Sequence, residues 1–343
     1  MTQSKTLQYA AAGVDIDAAE RLVARFRALA ESTRRPEVAA GVGPFAALFR
    51  APTGRAPLLV ASADGVGTKV RIGALLGRYR GLGADLVNHC VNDVLCAGGR
   101  PLFFLDYLAS NGLMDDARVE LVGGMADACR ATGAALIGGE TADMPDVYRA
   151  GDFDIAGFLV GVVEEDAVLG PARVRPGDAL LALPSSGLHT NGYSLARRVY
   201  ALEGADAAAR LAQPLPGDTR TLGDALLEVH RCYLAELEPL LPRVHALAHI
   251  TGGGIPGNLA RVLPADTVAR VRRRSWRPPA LFRHIQAEGR IENDEMFRVF
   301  NMGVGMVVVC AADEVDALLA ALPGAWRLGE VIAAAGSPHV ELR

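Results

Sequence analysis

The apolar positions of this chain change period along its length, and the changes mark out alternating helices and strands. Ile16 to Ser32 repeats at helical spacing through Ala19, Leu22, Val23, Phe26 and Leu29, with Asp17 a candidate cap and Thr33-Arg34-Arg35-Pro36 ending the run. Residues 1 to 12 read as a loose arm, and Gly41-Val42-Gly43-Pro44 as a flexible loop before Phe45 to Phe49. The unbroken apolar run Leu58 to Ala61 predicts a buried strand, and Val70 to Leu76 suits a short helix. Gly83 to Ala97 is apolar around most of its circumference, as a buried helix is, yet it carries Asn88, His89, Asn92 and Asp93. Leu102 to Leu108, Ala134 to Ile137 and Phe153 to Val163 predict three more strands, with the helix Asp115 to Thr132 between the first two. Together these make an open α/β sheet that still has a face to cover.

Glu164 to Gly177, rich in charge, Pro and Gly, is the predicted boundary, with one domain at residues 1–168 and another at 169–343. The second half reads as the strand Ala179 to Leu183, the helix Tyr193 to Leu202, an Ala- and Pro-rich peripheral excursion at 201–219, and a long helix from Leu222 to Leu241. His230, Cys232 and Tyr233 within that long helix read as packing residues. A strand at Ala246 to Ile250, a helix at Leu259 to Leu263, and a strand with a basic edge at Arg270, Arg272, Arg273 and Arg274 follow. A central strand at Gly303 to Val309, a helix at Asp313 to Leu322 and a last strand at Leu328 to Ile332 complete a second α/β unit.

Composition narrows the picture. The length of 343 residues accommodates two domains, and 50% hydrophobic residues are enough for sizeable cores. A net charge of -4 argues against a general nucleic-acid or membrane-surface binder. No run reaches transmembrane length, and Met1 to Tyr9 lacks the apolar core of a signal peptide. The cysteines (Cys90, Cys96, Cys129, Cys232, Cys310) are odd in number and form no CxxC, which suits reduced thiols in the cytoplasm.

Four strand-to-glycine corners carry candidate chemistry. In Ser62-Ala63-Asp64-Gly65-Val66-Gly67-Thr68-Lys69, Asp64 can hold a divalent ion, Gly65 and Gly67 let backbone N–H groups approach an anion, and Lys69 supplies a point charge. The order Thr68-Lys69 is not that of a Walker loop. Gly138-Gly139-Glu140-Thr141 reads as a second corner of the same kind, while Asp93 and Asp106 are acids in apolar settings that require a cation or good donors. In the second half, Ser185, Ser186, His189, Thr190 and Asn191 precede one helix, and Thr251, Gly252, Gly253 and Gly254 precede another. Small hydroxyls and glycines before a helix start form an anion site.

These stretches, with Ala12 to Asp17, Thr33 to Val38, Val91-Asn92-Asp93 and Phe103 to Tyr107, resemble the phosphoribosylformylglycinamidine cyclo-ligases nearly end to end and in order. The resemblance implies a homodimer in which the four-stranded N-terminal sheet pairs with its copy in an eight-stranded barrel, next to a C-terminal α/β domain. It implies Mg²⁺ and the ATP phosphates at Asp64 and Asp93, with nucleotide contacts from Gly65, Gly67, Thr68, Lys69, Asn92, Asp106 and Gly138 to Thr141, the last group able to reach the nucleotide across the dimer. The loops Ser185 to Asn191 and Thr251 to Gly254 would hold the substrate, formylglycinamidine ribonucleotide. Lys69 would act at the phosphates, and His189 and His249 are the candidate bases. Selenophosphate synthetase, thiamine-phosphate kinase, a hydrogenase maturation factor and formylglycinamidine synthetase are the rival relatives. The loop at Ala40 to Pro44 lacks the thiol expected of the first. A scaffolding relative is expected to have lost the acids, yet Asp64, Asp93, Asp106 and Glu140 are all present.

Overall fold

The computed structural model describes residues 16–40 and 48–343; the expected arm and the Gly41 to Pro44 loop lie outside the described residues. Helix α1 (Ile16–Glu31) precedes a small antiparallel pair, β1 (Val38–Ala40) and β2 (Leu48–Phe49). Next come β3 (Pro57–Gly65), α2 (Lys69–Leu76), α3 (Arg80–Cys96), β4 (Arg100–Ser110), α4 (Asp115–Thr132), β5 (Ala135–Asp143) and β6 (Phe153–Glu164). Their strands form one sheet in the order β3-β6-β4-β5, with β4 and β5 parallel through α4 and the other pairs antiparallel. The expected open sheet is therefore present. Its inner face packs Phe104, Leu108, Ile155 and Leu159 against the apolar sides of α3 and α4.

The outer face is apolar too. Residues opposite one another in adjacent strands share a face, which aligns Ala63, Phe158 and Leu105 in one row and Ala61, Val160 and Phe103 in the next. Val38, Ile137 and Phe49 cover the β5 side of this face. On the β3 side, Leu59 remains 66% and Phe158 45% exposed.

Gly138 to Thr141 is not a corner. These residues continue β5, paired in parallel with Leu105 to Leu108 of β4. The ladder satisfies their backbone groups, and that gain overrides the turn tendency of two glycines. Gly139 is needed for clearance, since a Cβ there would lie 2.3 Å from the Asp106 carboxylate.

The rest of the chain builds a second sheet from β7 (Ala179–Pro184), β8 (Ala246–His249), β9 (Thr267–Val271), β10 (Val304–Cys310), β11 (Trp326–Ala333) and β12 (His339–Leu342), ordered β12-β9-β11-β7-β10-β8. Between them run α5 (Tyr193–Val199), α6 (Ala207–Leu211), α7 (Leu222–Leu227), α8 (Leu234–Leu237), α9 (Gly254–Leu259), α10 (Ala280–Gly289), α11 (Asn293–Val299) and α12 (Val315–Ala321). Every residue of β10 is buried, as a central strand requires. Only Arg270 of the basic group lies in β9; Arg272 to Arg274 follow its end. The excursion at 201–219 is not peripheral, because Leu202, Ala207, Leu211 and Leu215 reach the core.

The long helix expected at Leu222 to Leu241 is broken, and the break matters. Between α7 and α8, Glu228 to Tyr233 crosses as a non-helical strap whose backbone is held by side chains of the N-terminal half. Asp85 accepts from the His230 N–H at 2.7 Å and Asn88 donates to the His230 carbonyl at 2.7 Å. Asn92 donates to the Arg231 carbonyl at 2.8 Å and accepts from the Tyr233 N–H at 3.0 Å. Lys69 donates to the Glu228 carbonyl at 2.7 Å. Buried partners across the molecule thus replace the i→i−4 bonds a helix would have made. Among the described residues, no helix is long and apolar enough to cross a membrane.

Candidate active site

Helix α3 explains the site. Asp85, Asn88, His89, Asn92 and Asp93 are spaced i, i+3, i+4, i+7 and i+8, which aligns them as one polar stripe on an otherwise apolar helix. The first, second and fourth secure the strap. His89 and Asp93 meet β3, where Ser62 and Asp64 lie two residues apart and so share a face.

A continuous series of polar contacts runs from one acid to the other. Asp93 Oδ1 lies 2.8 Å from His249 Nδ1, and its Oδ2 accepts from Ser62 at 3.1 Å. His249 Nε2 is 2.9 Å from His230 Nε2. His230 Nδ1 lies 3.4 Å from the Thr190 hydroxyl, which is 2.8 Å from His89 Nδ1. His89 Nε2 closes the series 2.8 Å from Asp64 Oδ2 and 3.9 Å from Asp93 Oδ2. The ring of His189 stacks on His230 with centroids 3.9 Å apart. His189 holds φ +62, a strained backbone value for a residue with a side chain. Its Nε2 accepts from the Ser186 N–H at 3.2 Å, and its Nδ1 is buried without a hydrogen-bond partner. Gly305 makes room for this packing: a Cβ there would lie 1.9 Å from the Tyr233 hydroxyl and 2.7 Å from His189 Cε1.

Electrostatics follow from burial and pairing. Burial pushes the Asp64 carboxyl up, but the hydrogen bond and charge of His89 outweigh it and hold the group below its ordinary value. Asp93 is likewise held low against burial by His249. Burial drives His189 and His230 well below the usual histidine value, so both are neutral near pH 7. His89 moves the other way, because Asp64 outweighs its burial.

The structure brings together most of the residues expected here. Asp64 and Asp93 are half-buried side by side, with Gly65 donating its N–H to Asp64 at 2.7 Å. Thr68 lies beyond Gly67, 3.2 Å from the Ser194 hydroxyl. The loops Ser185 to Asn191 and Thr251 to Gly254 flank His189 and His249, and the buried Asn258 donates to the carbonyls of Thr251, Gly252 and Gly254 at 3.2, 3.2 and 2.8 Å. The hydroxyls of Ser185 and Ser186 are engaged by Asn301 and the Val229 carbonyl, so they shape the loop.

Three of the expected residues are engaged elsewhere in the fold. Lys69 is turned inward: its side chain is 0% exposed and lies 2.7 Å from Asp85, which is also 0% exposed. Asn92 spends its amide on the strap. His249 has both ring nitrogens engaged, which leaves it no nitrogen for a substrate proton. Asp106 and Gly138 to Thr141 stand two and three strands away from β3 within one chain, about 10 and 14 Å at ordinary strand spacing, so the nucleotide contact expected of them is one made across a dimer. The sequence assigns no site role to His89 and reads His230 as packing, yet both belong to this series. The α3 stripe was a readable signal for the first; His230 had none.

Asp106 has a separate consequence. Burial, with the charge of Glu140 adding to it against the pull of its own backbone N–H, raises its carboxyl to about 7. An unfolded aspartate titrates near ~3.9, so between these values the folded chain holds a proton that the unfolded chain has lost. Stability therefore falls as pH rises through that window. Asp106→Asn should remove the fall, and urea denaturation at pH 5 and pH 8 should show the variant gaining on the parent at the higher pH. An unchanged difference would contradict this.

Two family models match the chain: AIR synthase related protein, N-terminal domain, over residues 45–163, and AIR synthase related protein, C-terminal domain, over residues 175–340. The fold is similar to thiamine-monophosphate kinase from Stenotrophomonas maltophilia at 23% identity, covering 93% of this chain and 95% of that one, with TM-score 0.68. It is similar to the hydrogenase maturation protein HypE in complex with ATP at 20% identity, over 95% and 91% of the two chains, with TM-score 0.67. T. maritima PurL complexed with FGAR matches at 19% identity over 84% of this chain and 44% of that one, with TM-score 0.53.

Proposed function

The chain belongs to the AIR synthase related superfamily, and from that premise we propose that it is an ATP-dependent cyclo-ligase. It closes formylglycinamidine ribonucleotide to 5-aminoimidazole ribonucleotide in purine synthesis, releasing ADP and phosphate. The observation that carries this reading is the convergence of Asp64 and Asp93 with the loops of His189 and His249, an acid pair from one half of the chain against hydroxyl- and glycine-rich loops from the other.

The chemistry asks for what lies there. A formamide carbonyl is a poor electrophile, and transfer of a phosphoryl group to its oxygen gives a group that can leave when the nitrogen attached to the sugar attacks. Such transfer needs positioning and charge neutralisation more than covalent help. Asp64 and Asp93 are half-exposed carboxylates with hard oxygen donors, a set that fits Mg²⁺. Bound there, Mg²⁺ would offset charge on the ATP phosphates. Ring closure releases a proton, and His189 Nδ1 is the one ring nitrogen among His89, His189, His230 and His249 without a partner. Because Nε2 accepts from the Ser186 N–H, a neutral His189 carries its proton at Nδ1, so it serves as the base only once that contact is released and Nε2 is freed. His249 positions Asp93 and His230. In this reading residues 1–168 bind ATP and dimerise, residues 169–343 hold the ribonucleotide, and the enzyme works in the cytoplasm.

The test is phosphate release from ATP by purified protein with and without formylglycinamidine ribonucleotide. Release that requires the ribonucleotide and yields an aminoimidazole is expected. ATP consumption indifferent to it would point instead to a kinase-like reaction and overturn the reading. His189→Asn should lower turnover by about a hundredfold or more with ATP binding retained; undiminished turnover would acquit this histidine.

The exposed row around Leu59 and Phe158 suits pairing with a second copy of the same sheet. Phe158→Glu should then convert a dimer to a monomer in analytical ultracentrifugation. A wild-type monomer at micromolar concentration would argue against the paired sheet.

A further inference from the structure

The ribonucleotide of the proposed reaction carries a phosphate dianion, and the loops that flank His189 and His249 offer it no cation: Ser185 to Asn191 and Thr251 to Gly254 contain neither lysine nor arginine. Lys69 is paired with Asp85, and Arg231 gives two bonds to Glu236 at 2.7 and 2.8 Å. The first arginine after the Ser185 loop is Arg197 of α5. Ser194 and Arg197 are three residues apart on that helix, so they share one face about 4.5 Å apart along the axis. The Ser194 hydroxyl lies 3.2 Å from that of Thr68, so this face begins where the Asp64 corner ends.

Two clefts of about 800 and 580 Å³ meet at Arg197, each large enough for a small ligand. The larger opens from Ser194, and the smaller has Arg71 of α2 and Arg149 on its N-terminal wall. The Arg197 side chain is 11% exposed and half engaged. Its Nη2 donates to Glu203 at 3.0 Å, while Nε, on the same edge of the guanidinium, is buried without a hydrogen-bond partner. Through such an edge an arginine grips a phosphate by two parallel bonds. Glu203 fills half of it and is itself 79% exposed, so their ion pair contributes little. On the other wall Arg71 pairs with Asp152 and Arg149 is exposed, which leaves three arginines against two carboxylates in the smaller cleft.

We propose that the Nε–Nη2 edge of Arg197, with Arg71 and Arg149 across the cleft, is the subsite for the phosphate of a ribose 5-phosphate ester, and that Glu203 occupies it until the ester arrives. The inference rests on the ribonucleotide reading for the class of ligand and adds the residues that hold its charged end. A phosphate displaces the single Glu203 oxygen, satisfies Nε as well, and releases Glu203 to water. An ester is thereby separated from the same nucleoside without phosphate, which would leave the buried Nε unpaired.

The test is calorimetric titration of ribose 5-phosphate into the full-length chain, with ribose as the control. Saturable binding of the ester and none of ribose are expected. Arg197→Met should weaken the ester by about tenfold or more. Glu203→Gln, a change at an exposed side chain, should tighten it by about two- to fivefold, since the competing carboxylate is gone. No saturable binding by the wild type, or an affinity that Glu203→Gln leaves equal or lowers, would overturn the subsite even if Arg197→Met failed to fold. Binding and turnover separate this proposal from the cyclo-ligase reading. The expected affinities without aminoimidazole formation would keep the subsite and remove the reaction; aminoimidazole formation with the ribonucleotide KM unchanged in Arg197→Met would do the reverse.

Discussion

Lys69→Met is expected to destabilise the protein by about 3–5 kcal/mol, the scale measured when one partner of a buried ion pair is removed. The Asp85 carboxylate would lose the ammonium paired with it in a place water does not reach, and the Glu228 carbonyl would lose its donor. The damage should spread to the strap. Asp85 also receives the His230 N–H, so a repositioned Asp85 displaces His230 from His249 and turnover falls as well. The urea midpoint, followed by fluorescence and by circular dichroism, measures the effect. Adding Asp85→Asn to Lys69→Met should restore part of the loss, because an amide is far less costly to bury than a lone charge. A loss below about 1 kcal/mol, accompanied by weaker ATP binding, would return Lys69 to the phosphate role that its motif suggested.

The second large effect concerns turnover. Asp64→Asn and Asp93→Asn should each lower the rate by at least a hundredfold, on the order of what removing one preorganised electrostatic partner costs. Both side chains are half-exposed, so stability should change little. The two variants should differ in their secondary effects. Asp93→Asn also weakens the hold on His249, and through it on His230, whereas Asp64→Asn alters the contacts to His89 and to the Gly65 N–H. Asp93→Asn should therefore be the slower enzyme at every pH. Substrate-dependent phosphate release measures both, and wild-type turnover in either would remove that acid from the chemistry.

Much of the fold was legible because local patterns and tertiary packing agree. The run Leu102 to Leu108 and the periodicity of Asp115 to Thr132 give the observed β4 and α4, since each buries the face its spacing presents. The acid pair was legible as well: Asp64 ends a strand and Asp93 interrupts a buried helix. The strap was not. Glu228 to Tyr233 lies between two helical stretches and has no internal breaker, so local propensity favours helix throughout. Gly138 to Thr141 failed in the opposite sense, because paired glycines read as a turn until a parallel neighbour accepts their backbone bonds.

By itself, then, the sequence determined the two α/β halves and the family motifs with their acids, all of which depend on residues close together in the chain. The tertiary structure alone decided that Lys69 is a strut, that His230 belongs beside His249, and that His89 bridges two carboxylates. Each of those outcomes rests on partners far apart in sequence, Lys69 with Glu228 and Asp93 with His249 among them. A buried charge or imidazole takes its role from whichever donors and acceptors share its dry surroundings, and only the folded chain specifies those.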